Sequence, residues 1–479
     1  MKIKIYGLGT IIPFILSTLI SLFVGFSDVP NEGLSCLFLL PLTFAFTILF
    51  FSKEYSYCLH SFGLVILYAT SFVRYIVTPI LIVVSQSTVS TIMARDSDYM
   101  YAIFVEIFEL IILMLTIKIV WPKHLAKKEQ IKKKVNYDPS QVTFRLSWLG
   151  AIFAVLLIIL IMFRGHWDNI VSNLSTWFTR VDNNDIVFGY DMMAFNIVKA
   201  IAFLIIVSLM KLMYNKTSFR ILPVIISLAA AILNTMFFEY RERTDLAVLI
   251  IASFFVLRYA FPQSKKFFSV IFGVGGIVLV ATVFMEGTLR YEVGSSLSSV
   301  NIADYSKMAE LYTTGPSILA NARMNFESVR SQVNFMTFAK DLVLSCDLFS
   351  TLPFLRFVLN AVSSGQSTGE LYVASIGGLS YILPNHSLAS LYVGDIICWI
   401  IEPLFIVFNI KLLAFFERCM YRINDLLQVY AIFSIVTMVA MGVFCNNVQL
   451  MLHSFSSLPL WLLIFSYINN LGNKIKLAK

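Results

Sequence analysis

The densest polar stretch of the chain is Glu239-Tyr240-Arg241-Glu242-Arg243-Thr244-Asp245, set between two apolar runs. Arg243 stands where the second run begins. A cation there opposes the helix dipole by about 0.3–1 kcal/mol. An anionic ligand reverses that sign, since guanidinium forks beside a helix N-terminus hold phosphate or diphosphate well. Glu239 and Glu242 offer the plainer alternative of neutralising both arginines. A second group of ionisable residues falls inside apolar runs: Arg74, Glu106, Glu109, Lys199, Asp395 and Glu402. Charge within a membrane marks function by default, although mutual pairing that fixes helix packing explains the same pattern. His386, in Leu383-Pro384-Asn385-His386-Ser387, is placed to take a proton from a hydroxyl. A lone loop histidine is also ordinary polar surface.

The elements that must position these residues follow from composition. Of 479 residues, 58% are hydrophobic and 13% charged, and mean hydropathy is +0.81. Soluble domains carry about 25% charged residues, so a soluble enzyme and a disordered chain are excluded. The net charge of +8 suggests nucleic acid until its placement is traced. Lys123, Lys127, Lys128, Lys132, Lys133 and Lys134 share one loop between apolar runs, as cytoplasmic loops of membrane proteins do. Six cysteines show no CxxC spacing, so neither a disulfide framework nor a zinc site is indicated.

Apolar runs of suitable length number about twelve. They lie near 8–26, 33–51, 62–85, 100–121, 146–163, 189–210, 219–238, 245–261, 268–286, 388–409, 425–444 and 455–470. Fixing the lysine-rich loop inside makes both termini cytoplasmic. The expected fold is an all-α, polytopic integral membrane protein. Residues 1–286 form a transmembrane bundle of about nine spans, 287–387 a large extracytoplasmic loop with amphipathic helices, and 388–479 about three further spans. Within the loop, Pro316 signals a helix start. Ile318, Ala322, Phe326, Val329, Val333 and Met336 then recur at helical spacing. Arg323, Glu327, Arg330 and Asn334 share the opposite face, so one amphipathic helix is predicted. Its charges are either ligand-facing or paired with one another.

In this setting the chain resembles the oligosaccharide repeat-unit polymerases, the Wzy-type family of O-antigen and capsule assembly. The resemblance lies in many spans with one large late outer loop. Its local carriers are Arg243-Thr244-Asp245 opening an apolar span, Tyr312-Thr313-Thr314-Gly315-Pro316 before the loop helix, and Gly377-Gly378 through Leu383-Pro384. It implies a metal-independent glycosyltransferase with a GT-C-like bundle and no cofactor, in the bacterial cytoplasmic (inner) membrane. Its substrates would be undecaprenyl-diphosphate-linked oligosaccharides, met on the outer face of the bilayer. A chain-length regulator and a flippase of the same pathway would be its protein partners, and nucleic acid is not among them. Arg241 and Arg243 would bind the leaving diphosphate, with Arg323 or Arg290 completing the clamp and Arg330 and Tyr312 as further substrate contacts. His386 or Asp304 would be the base. A lipid-linked oligosaccharide flippase and an O-antigen ligase-like enzyme are the alternatives.

Overall fold

The structure, a computed structural model, describes residues 6–89, 94–135, 150, 152–157, 174–175, 190–217, 219–236, 238–239, 243–275, 301–346, 368–369, 371, 384–444 and 448–477. The first helices are α1 (Tyr6–Phe26), α2 (Leu39–Phe50), α3 (Phe62–Ser85) and α4 (Asp96–Val135). Then come α5 (Tyr190–Lys216), α6 (Ile221–Met236) and α7 (Arg243–Ala260). Four short helices follow: α8 (Ile302–Thr313), α9 (Pro316–Met324), α10 (Phe326–Arg330) and α11 (Phe335–Leu344). The last are α12 (Asn385–Val393), α13 (Asp395–Cys419), α14 (Leu426–Met441), α15 (Val448–Ser457) and α16 (Pro459–Leu477). Apart from helices, the described residues hold one two-residue antiparallel pair, with Leu174 opposite Glu239.

Among the described residues, five helices are long and apolar enough to cross a membrane, or six if the bent pair Leu246–Ala260 and Pro262–Gly275 is one span. This corrects the expected count of about twelve, and the reasons are physical. The runs near 219–238 and 425–444 yield apolar helices of only 16 residues each. A bilayer core about 30 Å thick needs about 20 residues. The runs near 245–261 and 268–286 meet at a 118° bend beside Pro262, so apolar length does not become a straight rod. Most of the run near 146–163 lies outside the described residues, as do 276–286.

The chain divides into two compact units. The first gathers residues 1–128, 280–417 and 439–452, so the described residues 301–346 belong to the same unit as α1–α3. Helix α3 starts at Ser61, whose hydroxyl accepts from the Leu64 N–H. The buried Glu417 carboxylate, near the end of α13, takes both the Ser61 hydroxyl at 2.5 Å and the Gly63 N–H at 2.7 Å. A π-helical turn at Val73–Val77 interrupts α3 and carries Arg74 into the interior. Such turns insert one residue and are frequent where side chains must be re-aimed. The outward face of α1 shows Ile11, Ile12, Ile15, Leu16 and Leu19 about half-exposed. Water tolerates so continuous an apolar face poorly, and lipid accepts it.

The predicted amphipathic helix from Pro316 onward is broken into α9, α10 and α11 rather than continuous. At Asn325 the side-chain amide donates to the Asn321 carbonyl, an alternative to the regular ladder. Asn334 then caps α11 by accepting from the Thr337 N–H at 2.9 Å. The start of the apolar stripe is nonetheless buried: Ala322 and Val329 cluster with Leu388 and Leu391 against the partly buried Phe326 and Val333, while Met336 at its end is exposed. Glu310, fully buried on α8, accepts from the Val89 and Ser317 N–H groups at 2.8 and 3.1 Å. It thereby caps α9, and burial pushes its carboxyl above the usual range.

The second unit comprises residues 129–279, 418–438 and 453–479. Asn234 on α6 donates to Ser253 on α7 at 3.1 Å and to Tyr430 on α14 at 3.2 Å. Phe255 and Phe433 stack with ring centroids 3.6 Å apart. Asp425 caps α14 through the Gln428 N–H and accepts from Ser466 on α16 at 2.7 Å.

Candidate functional site

Helix α4 carries Asp98, Tyr101 and Glu109 along one face, three and eight residues apart, and Glu106 beside them. Helix α13 carries Asp395, Cys398 and Glu402 along one face, three and four residues apart, with Trp399 beside them. Helix α12 precedes α13 by a single residue, Gly394, at φ +89° and ψ 162°. That conformation is essentially confined to glycine. It folds α12 back on α13, so that His386 meets Glu402, 16 residues ahead in the chain. Pro403 follows Glu402 inside α13. Proline has no N–H to donate to the preceding turn, which loosens the helix at this point.

His386 is 1% exposed. Its Nδ1 lies 2.5 Å from Glu402 Oε2, and its Nε2 lies 2.7 Å from the Tyr101 hydroxyl. A neutral imidazole with its proton on Nδ1 donates to Glu402 and accepts from Tyr101. The Cys398 sulfur is 3.4 Å from Nε2, and the Trp399 ring packs edge-on at 4.8 Å. Above Tyr101, the Arg323 guanidinium rests 3.6 Å from the ring centroid while its Nε approaches Asp98 at 3.3 Å. Below, Arg74 Nη2 meets Glu109 at 2.7 Å and Nε meets Glu106 at 3.5 Å. The guanidinium also lies 5.0 Å from the Phe444 ring.

A cavity of about 290 Å³ opens over this chain of contacts. Arg95, Asp98, Tyr101, Arg323, Glu327, His386 and Asp395 line it. Its formal charges are two arginines against three carboxylates, with no excess of positive charge. Such a lining suits a neutral, hydroxyl-rich ligand with an anionic group held at one guanidinium. A simple anion trap would be more cationic.

Among the residues predicted from sequence, His386 and Arg323 are brought together here. Asp304 is not. Its carboxylate accepts from the Asn301 N–H at 3.2 Å in the capping box of α8, with Lys307 at 4.0 Å. Arg330 lies exposed at the end of α10, over the Phe326 ring at 5.3 Å, and Tyr312 lies on α8; neither lines the cavity. Arg243 is the first residue of α7, and only its backbone is described; Arg241 and Arg290 lie outside the described residues. Tyr101, Arg95 and Trp399 were not singled out in the sequence. The available signal was that polar residues share one face on each of two apolar helices, Asp98–Tyr101–Glu109 and Asp395–Cys398–Glu402. Comparison with protein-family models, with curated proteins and with solved structures finds no match.

Proposed function

We propose that the chain polymerises undecaprenyl-diphosphate-linked oligosaccharide repeat units into O-antigen or capsular polysaccharide, by glycosyl transfer on the outer face of the bacterial cytoplasmic membrane. The observation that carries this reading is His386, held between Glu402 and Tyr101 beneath a polar cavity that also contains Arg95 and Arg323. Transfer from a lipid diphosphate requires a group to accept the proton of the attacking hydroxyl and cations for the departing diphosphate. The histidine supplies the first and the arginines the second. Asp98, Glu327 and Asp395 are acceptors suited to sugar hydroxyls.

In this reading a hydroxyl oxygen of the incoming unit bonds to the anomeric carbon of the growing glycan. The bond from that carbon to the diphosphate oxygen breaks, and undecaprenyl diphosphate leaves with the electron pair. The hydroxyl proton passes toward His386. No metal is invoked. The test is the purified chain in lipid nanodiscs with defined lipid-diphosphate repeat units, read as a ladder of chain lengths. His386→Gln is expected to slow ladder growth by about 10²–10⁴-fold, the usual worth of a general base. An unchanged ladder sinks the assignment.

The buried Arg74, Glu106 and Glu109 cluster favours a second reading, a lipid-linked oligosaccharide flippase, because transporters concentrate such groups along proton pathways. Transbilayer movement of the same lipid without elongation would select it. Transfer only to an acceptor other than a second repeat unit would instead make the chain ligase-like.

A further inference from the structure

Five ionisable groups lie together beneath the cavity, each 5% exposed or less: Arg74, Glu106, Glu109, His386 and Glu402. One guanidinium therefore faces three carboxyl groups. With all three ionised and His386 neutral, the set carries two uncompensated negative charges away from water, a state that burial strongly penalises. Glu109 stands on Arg74 and Glu402 on His386, within range of each other's charge. Two carboxyls buried in one set resist ionising together, and one proton held between them relieves the repulsion. We infer that Glu109 and Glu402 share one proton, and that this carboxyl pair forms a proton-holding site connected to the cavity through His386 and Tyr101.

The charge of the set then bears on the arrival of a proton at His386. With one proton on the carboxyl pair, Arg74 and Glu106 cancel, and the pair leaves a single negative charge. Protonating His386 brings the set to neutrality. The groups facing the imidazole are Cys398 and Glu402 from α13, Tyr101 from α4, and Arg74 from α3 through Glu109. Beyond Tyr101 stand Arg323 and Asp98, which offset each other, while Asp395 and Glu327 line the far side of the cavity.

The link to glycosyl transfer rests on the function proposed above. There the acceptor hydroxyl gives its proton to the Tyr101 oxygen as Tyr101 gives its own to His386 Nε2. Tyrosine ends as it began, the imidazole gains one proton, and the acceptor oxygen keeps the electron pair for its new bond to carbon. Glu402 acts as a positioning residue, holding Nδ1–H.

The proton site is tested without substrate, by infrared spectroscopy of the full chain in nanodiscs at neutral pH. A carboxylic-acid carbonyl band, shifted in heavy water, is expected to disappear in Glu109→Gln and in Glu402→Gln. Glu402→Asp, which keeps the carboxyl, is expected to move the band, and guards against amide variants that fail to fold. Glu310→Gln and Asp341→Asn identify any acid band belonging to these two buried carboxyls outside the set. No acid band, or one untouched by all three changes at Glu109 and Glu402, overturns the inference. Tyr101→Phe should leave the band in place while lowering transfer by about 10²-fold. A chain with the band but no transfer activity supports the proton site and counts against the polymerase reading.

Discussion

At the residue scale, two arginines from one predicted polar face have separate fates. Arg323 lines the cavity and lies on Tyr101, whereas Arg330 is exposed over Phe326. Arg323→Ala should therefore reduce ladder growth by about 10²-fold, as loss of a charge-stabilising donor does. Arg330→Ala should leave the rate within about twofold, since exposed charges contribute little. Equal effects in the ladder assay would contradict this division. Asp341 makes a different prediction. Its Oδ2 accepts from the Thr368 N–H at 2.8 Å and the Thr368 hydroxyl at 2.6 Å, while Oδ1 is buried without a hydrogen-bond partner. Burial raises its carboxyl above the ordinary aspartate value, against the opposing pull of Thr368. The folded chain thus favours the neutral acid. Its stabilisation is complete below about pH 4, the unfolded value, and is lost as pH rises through the higher folded value. Asp341→Asn keeps one oxygen for Thr368 and cannot ionise. Melting temperature followed from pH 4 to 8 should fall less steeply for the variant than for the parent chain, and parallel curves would refute the assignment.

At the scale of elements, the site depends on how sharply α12 turns into α13. Gly394 makes that turn at positive φ, and a Cβ there would also come 3.5 Å from Arg330 Nη2. Gly394→Ala should cost about 1–3 kcal/mol of strain. The chain relieves it most readily by displacing α12, which lengthens the His386–Glu402 contact. Loss of transfer activity larger than the drop in melting temperature predicts would be its signature; full activity would show the turn to be permissive. This turn marks the limit of sequence reading. His386 and Glu402 were each recognisable, one as a loop histidine and one as charge inside an apolar run. Their meeting was not, because it is set by one glycine dihedral rather than by composition. Asp304 shows the reverse. A carboxylate three residues after Asn301 fits a helix cap as well as a base, and local hydrogen bonding claims it. The break of the Pro316 helix was likewise hidden, since the stripe of apolar residues continues across Asn325 while the backbone does not.

At the scale of the whole molecule, apolar composition identifies the solvent and leaves the number of crossings open. Among the described residues two apolar helices are too short and one pair is bent, so hydropathy overcounts the spans. Orientation is a separate matter, carried by charge placement. The lysines of α4 lie at the end opposite Asp96 and Asp98. With 40 residues at about 1.5 Å each, α4 extends well beyond a bilayer core, and its two ends belong to opposite sides if it crosses. The Arg323–Asp98 contact ties the 301–346 segment to the Asp98 end. Two exposed positions report on these sides: Lys123 on α4 and Met336, 49% exposed, on α11. Each is changed to cysteine in a background where Cys36, Cys58, Cys346, Cys419 and Cys445 are serine. Cys398 is kept, because it is buried against His386. A membrane-impermeant maleimide applied to intact cells should label Met336→Cys at once and Lys123→Cys only after permeabilisation. Labelling of both from outside would mean that α4 does not cross. The inverse pattern would place the cavity on the cytoplasmic face, opposite to the outer face that the proposed polymerisation requires, and the polymerase reading would fall with it.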